Sequence, residues 1–177
     1  MSKTFLISDT HFGHEGTASI FKREDGSPLR PFKNAAHQDE VMIENWNRVV
    51  SPDDRVYHLG DFCMARRHLS VLDRLNGRIA IVLGNHDPWG IADWVKHPNV
   101  THVLGYKVYP EHGLILSHVP VSERQLEGRF RYNIHGHTHD KFVKDSKGHP
   151  DPRYIPVCVE HIDYTPIDLD VILKRLK

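Results

Sequence analysis

Apolar residues in this chain gather into short blocks, and most blocks stop at a glycine or at an acidic, amide or imidazole side chain. Lys3 to Ser8 has the pattern of a buried strand and runs into Asp9. Arg55 to Leu59 is a second such block and delivers Gly60-Asp61, and Arg78 to Leu83 is a third and delivers Gly84-Asn85-His86-Asp87. Between these blocks the period lengthens. From Ala35 to Val50, Met42, Trp46 and Val49 share one helical face while Asp39, Glu40 and Glu44 lie elsewhere. Arg66 to Leu75 reads as a helix closed by Asn76-Gly77, a natural left-handed cap. Pro88 opens another helix, at an early position where its missing N–H costs nothing.

Beyond Val100 strands follow one another: Val100–Leu104, Tyr106–Tyr109, Leu114–Ser117, Phe130–His135 and Tyr154–Val159. Asp168 to Leu176 closes the chain as a short amphipathic helix. Strand–helix alternation followed by consecutive strands predicts an α+β fold of two packed sheets flanked by helices, with functional side chains at the C-terminal ends of strands. No repeat or linker divides the chain, so residues 1–177 are expected to form one domain. Residues 12–33, rich in Gly, Pro and charge, form a loop of a length that is functional or mobile in a compact domain.

Composition narrows the function classes. Lys plus Arg and Asp plus Glu are 23 each, so the net charge is zero and lacks the basic excess of proteins that grip long nucleic acid. A small phosphorylated substrate, or a local basic strip, fits this balance better. Cys63 and Cys158 have no CxxC spacing and are expected as reduced thiols in the cytoplasm. The first apolar run is too short for a signal peptide, and no stretch is long enough to cross a bilayer.

Histidine is the outlier, at 15 of 177 residues. His37, His68, His97, His102, His112, His149 and His161 carry no assigned role, and His58 and His135, inside strands, read as packed structural residues. Trp46 and Trp94 fit core positions, whereas Trp89, shortly after Asp87, could line the mouth of a site. The remaining histidines fall in ordered short motifs at strand ends: Asp9-Thr10-His11, Gly60-Asp61, Gly84-Asn85-His86-Asp87, Ser117-His118 and Gly136-His137-Thr138-His139. Asp9 and His11, one residue apart, can turn toward a single ion. Asn85 offers a neutral oxygen ligand, and Gly136 permits the tight backbone that lets His137 and His139 reach adjacent metals. Asp9-Thr10-His11, Gly60-Asp61 and Ser117-His118 alone are ordinary turns, whereas Gly84-Asn85-His86-Asp87 and Gly136-His137-Thr138-His139 are more specific; together they make a mixed O/N ligand set for divalent cations.

In this order the series resembles the calcineurin-like metallophosphoesterase family, whose pattern D-x-H, G-D, G-N-H-D/E, H and G-H-x-H is present without substitution over residues 9–139. Val56 to Phe62 and Ser117 to Pro120 also look like small, cap-free bacterial or phage members. The resemblance implies a β-sandwich with helices on both outer faces and two divalent ions, manganese first and Fe, Zn, Co or Ni as alternatives. Asp9, His11, Asp61 and His139 would hold one ion, Asp61 bridging to a second held by Asn85, His118 and His137. His86 would donate a proton to the leaving group, with Asp87 orienting it. A water shared by the two ions would attack the phosphate in line. His14 would sit at the metal edge. Arg66 and Arg67 are candidates to meet phosphate, although Met64-Ala65 depart from the protein-phosphatase pattern. Arg124, Arg129 and Arg131 are expected on a solvated face. The implied activity is hydrolysis of a phosphate ester, and within that class the reading favours a phosphodiesterase on a small nucleotide-like substrate at an open site. The alternatives are a phosphomonoesterase, a nuclease on single-stranded nucleic acid, and a nonenzymatic metal-binding scaffold.

Overall fold

A computed structural model describes residues 2–87 and 90–176. Strands β1 (Thr4–Ile7), β2 (Arg55–His58), β3 (Arg78–Val82) and β4 (Val100–Leu104) lie parallel, and β9 (Ile167–Asp168) pairs antiparallel to β1, giving the order β4-β3-β2-β1-β9. The second sheet is ordered β5 (Tyr106–Tyr109), β6 (Leu114–Ser117), β7 (Tyr132–His135) and β8 (Tyr154–Pro156), with β5 antiparallel to β6 and the rest parallel. The parallel strands are apolar on both faces because both faces are covered. Phe5, Ile7, Val56, Ile79 and Ile81 pack beneath helix α1 (Ala35–Val49) with Met42 and Trp46. Leu6, Tyr57, Ala80 and Val82 point the other way and meet Leu114, Leu116 and Ile134 of the second sheet. Trp46 is fully buried, and cutting such a ring to Ala costs about 3–5 kcal/mol.

Local chemistry accounts for the element boundaries. Asn34 Oδ1 accepts from the His37 N–H at 2.8 Å and starts α1. The segment expected as a helix from Arg66 is a 3-10 helix over Arg66–Arg74. Its buried Leu69 and Leu72, with Leu75 just beyond, recur every three residues, which matches a three-residue turn and not the α period. Gly77 closes this region at φ +96°, and a β-carbon there would meet Val50 Cγ1 at 2.8 Å. Helix α2 is Ile91–Val95 and α3 is Leu169–Arg175; the helix start expected at Pro88, and Trp89, lie outside the described residues. The outer face of the second sheet carries Ile115 and Tyr154, covered by Leu126 of the short turn Glu123–Leu126 and by loops bearing Val121, Phe130 and Val143. Among the described residues no helix is long and apolar enough to cross a membrane.

The two sheets are joined at the end where the strands deliver their motifs. Ser8 N donates to Val157 O at 2.9 Å, and Val159 N donates to Ser8 O at 3.2 Å. This seam brings the turns after β1, β2, β3, β6 and β7 to one place.

Candidate metal centre

After β1 and β2 end, their backbones stay paired through the turns. Asp9 N donates to Gly60 O, His11 N to Asp61 O and Phe12 N to Phe62 O, at 2.9, 3.0 and 2.8 Å. Buried His58 ties the two turns from below. Its Nδ1 accepts from the Gly60 N–H at 3.2 Å, so the proton is on Nε2, which lies 3.0 Å from Thr10 Oγ1; that hydroxyl donates to Phe62 O at 2.8 Å. Burial holds His58 neutral, with its pKa pushed down to about 3.

Two groups of side chains converge here: Asp9, His11 and His139, and Asp61, His118 and His137. Asp61 Oδ2 lies 3.6 Å from His11 Nε2 in one group and 3.5 Å from His118 Nε2 in the other. His118 Nδ1 donates to Leu59 O at 2.8 Å, which turns the Nε2 lone pair toward Asn85 Oδ1, 2.9 Å away. Lone pairs facing one another repel unless a proton or a cation lies between them. His11 Nδ1 lies 3.4 Å from Met64 Sδ, and its buried Nε2 has no hydrogen-bond partner among the described residues. These orphaned, convergent donors and their Asp/Asn/His chemistry fit divalent cations. Burial works against charge on Asp61, but the His118 ring and the His86 N–H, 2.8 Å from Oδ1, hold its carboxyl below the usual range.

The backbone bends to make this centre. Asp9, His11, Asp61, His137 and His139 all take positive φ, at 58°, 48°, 56°, 71° and 50°. Such conformations cost a non-glycine residue on the order of 1–3 kcal/mol each and are held only where the surroundings demand them. Neighbouring glycines clear the space: a β-carbon on Gly136 would stand 2.6 Å from Asp9 Oδ2, and one on Gly84 would overlap Asp61 Oδ1. The vacated space lets the His137 N–H donate to both Asp9 oxygens, at 3.1 and 2.9 Å.

Of the other expected residues, His86 is exposed at the mouth, its ring 5.6 Å from that of His11. His14 is also 5.6 Å from His11. Asp87 does something other than expected. Its carboxylate accepts from the N–H groups of Asp61, Phe62 and Gly84 at 2.7, 3.1 and 2.9 Å, so it braces the turn carrying Asp61 and does not orient the His86 ring. Arg66, expected as a phosphate contact, is exposed and pairs with Asp93 of α2. Arg67 is exposed on the 3-10 helix, with no contact to the centre among the described residues.

Two residues in the site were not foreseen. Arg30, from the loop expected to be functional or mobile, is buried and donates to Asp9 O, Thr10 O, Gln38 Oε1 and Glu160 Oε1 at 2.6, 3.0, 2.9 and 2.8 Å. Glu160 Oε1 also lies 3.0 Å from His139 Nδ1. Burial would raise the Glu160 pKa, but Arg30 and His139 bring it down to about 2. A carboxylate behind a ligating imidazole fixes its tautomer and leaves Nε2 for the ion.

A two-sheet layered fold with these convergent groups defines a metal-dependent phosphoesterase. The chain belongs to the calcineurin-like phosphoesterase superfamily, whose domain model matches residues 3–155. It is 36% identical over 184 residues to the uncharacterized protein MJ1445 of Methanocaldococcus jannaschii, covering 100% of this chain and 93% of that one. It is 28% identical over 174 residues to the gene 66 protein of Mycobacterium phage L5, covering 81% and 80%. Among solved structures it is similar to the protein of unknown function AQ665 of Aquifex aeolicus, with a TM-score of 0.67, 25% identity and coverage of 98% and 99%.

Proposed function

We propose that this chain hydrolyses a small, nucleotide-like phosphodiester at a centre holding two divalent cations, manganese first among the candidates. Asp9, His11 and His139 would hold one ion and Asn85, His118 and His137 the other, with Asp61 placed to serve both. The observation that carries this reading is the place of Asp61 Oδ2, between His11 Nε2 at 3.6 Å and His118 Nε2 at 3.5 Å. When bound, such a pair supplies a water acidic enough to attack near neutral pH and neutralises charge on the phosphate.

The side chains do the rest. Asn85, His86 and His137 are exposed, so an ester approaches from solvent. His86 stands at the mouth and gives a proton to the departing oxygen. A dianionic monoester gains from an arginine fork beside the ions, but Arg66 is engaged by Asp93; a diester carries one negative charge and needs no such fork. This favours the diester.

Metal analysis of Mn²⁺-replete protein should give two ions per chain, and one firmly held ion only would remove the bridge. Bis-(p-nitrophenyl) phosphate should be cleaved with higher kcat/KM than p-nitrophenyl phosphate. No turnover of either with any of several divalent metals would sink the enzymatic reading, and a reversed preference would sink the diester.

A further inference from the structure

Beside the candidate ions lies a cavity of about 660 Å³, within the roughly 300–1,000 Å³ range of small-molecule sites. His137 and His139 form one wall with Thr138 and Asp140, and Phe21, Lys22, Leu29, Lys141 and Phe142 line the rest. Phe21 and Phe142 are each 49% exposed. One half-exposed phenylalanine is ordinary; two around one cavity that opens onto candidate metal ligands are not.

Both rings are held in place. Phe21 meets the His14 ring edge-on at 5.6 Å, and a β-carbon on Gly16 would stand 2.8 Å from its Cζ. Phe142 packs on the His161 ring at 4.7 Å. His11, His14 and Phe21 thus form a continuous file of rings from the ions to the cavity. Two polar features add to the apolar faces. Thr138 belongs to the cavity wall, with its Oγ1 buried behind the surface. Lys22 enters none of the ion pairs among the described residues, while Lys141 is paired with Glu24 at 3.0 Å. Flat apolar faces and a cation beside the candidate metal centre fit a planar heterocycle carried on a phosphorylated sugar.

We infer that this cavity takes the nucleoside portion of the substrate, its base stacked against Phe21 and Phe142, so that these two residues set specificity. An aliphatic ester group would gain area there but no stacking. The inference rests on the reading of the previous subsection for where the phosphate sits, and the experiment separates the two.

Binding of adenosine 5′-monophosphate and of ribose 5-phosphate is measured by calorimetry on Mn²⁺-loaded protein and on protein in EDTA. In parallel, kcat/KM is measured for the p-nitrophenyl ester of thymidine 5′-monophosphate and for methyl p-nitrophenyl phosphate, which share a leaving group. The nucleotide should bind about tenfold or more tightly than the sugar phosphate, and the thymidine ester should be preferred by a similar factor. Phe21→Ala and Phe142→Ala should each collapse both ratios, Phe21→Tyr and Phe142→Tyr should restore them, and Phe142→Leu, which keeps apolar area without a π-face, should restore little. Equal affinities for the two phosphates, or ratios unmoved in the alanine variants, would overturn the inference even if both esters are hydrolysed. A binding preference without turnover of either ester would uphold it while sinking the hydrolytic reading.

Discussion

Glu160 Oε1 lies 3.0 Å from His139 Nδ1 and 2.8 Å from Arg30 Nε, so one buried carboxylate serves both an imidazole of the candidate metal centre and the guanidinium that clamps the Asp9-Thr10 backbone. Glu160→Gln removes the charge and keeps the shape. Losing a carboxylate of this kind costs about 10–100-fold in metal affinity, and stranding a buried Arg30 costs on the order of 3–5 kcal/mol. Competition with a chelator should show the first and denaturant titration in EDTA the second. Unchanged metal affinity would restrict Glu160 to scaffolding.

Gly84 is required by the carboxylate it faces. In Gly84→Ala the new methyl overlaps Asp61, so the second ion and the activity should both be lost while the β-sandwich persists. Gly128→Ala is the control, since a β-carbon there meets nothing within 4 Å. Metal content and far-ultraviolet dichroism of the two variants report the difference. Retention of two ions in Gly84→Ala would show that the loop yields.

His86→Ala should separate leaving groups. A general acid contributes about 10²–10⁴-fold where the departing oxygen needs a proton, so hydrolysis of an alkyl diester should fall by that order and a nitrophenyl diester far less. The two ions should stay bound. An equal loss on both esters would make His86 a group that steadies the phosphate.

His58 predicts an acid limb in stability. Its pKa is about 3 in the fold against an ordinary value of 6.5. Below 6.5 the unfolded chain accepts a proton that the folded chain refuses, so this histidine's stabilising contribution is full above 6.5 and is lost as the pH falls toward 3. The slope is up to about 1.4 kcal/mol per pH unit. His58→Asn keeps an acceptor for the Gly60 N–H without a titrating ring. Denaturant midpoints in EDTA should therefore fall less steeply with acid in the variant, by about one proton. Equal slopes would mean that the buried ring titrates normally.

The sequence carried the strand ends well because apolar blocks and turn residues are local signals: Val100–Leu104, Tyr106–Tyr109 and Leu114–Ser117 run as their patterning predicts. The candidate ligands were legible for the same reason, each lying just past such a block. Arg30 and Glu160 were not, since they stand 130 residues apart and nothing in either neighbourhood names the other. The role of Asp87 was misread because adjacency to His86 says nothing about which way a carboxylate turns, and three backbone N–H groups outbid the ring. The strand Ile167–Asp168, two residues long, has no period to detect.

The seam at Ser8, where β1 exchanges hydrogen bonds with Val157 and Val159, has a consequence for how the molecule comes apart. Asp9 and Asp61 hang from one layer and His118, His137 and His139 from the other, with this stitch directly beneath them. Prying the layers open must scatter the donors, so loss of bound cation should coincide with the earliest parting of the halves, and catalytic competence becomes a sensitive gauge of whether the architecture is whole.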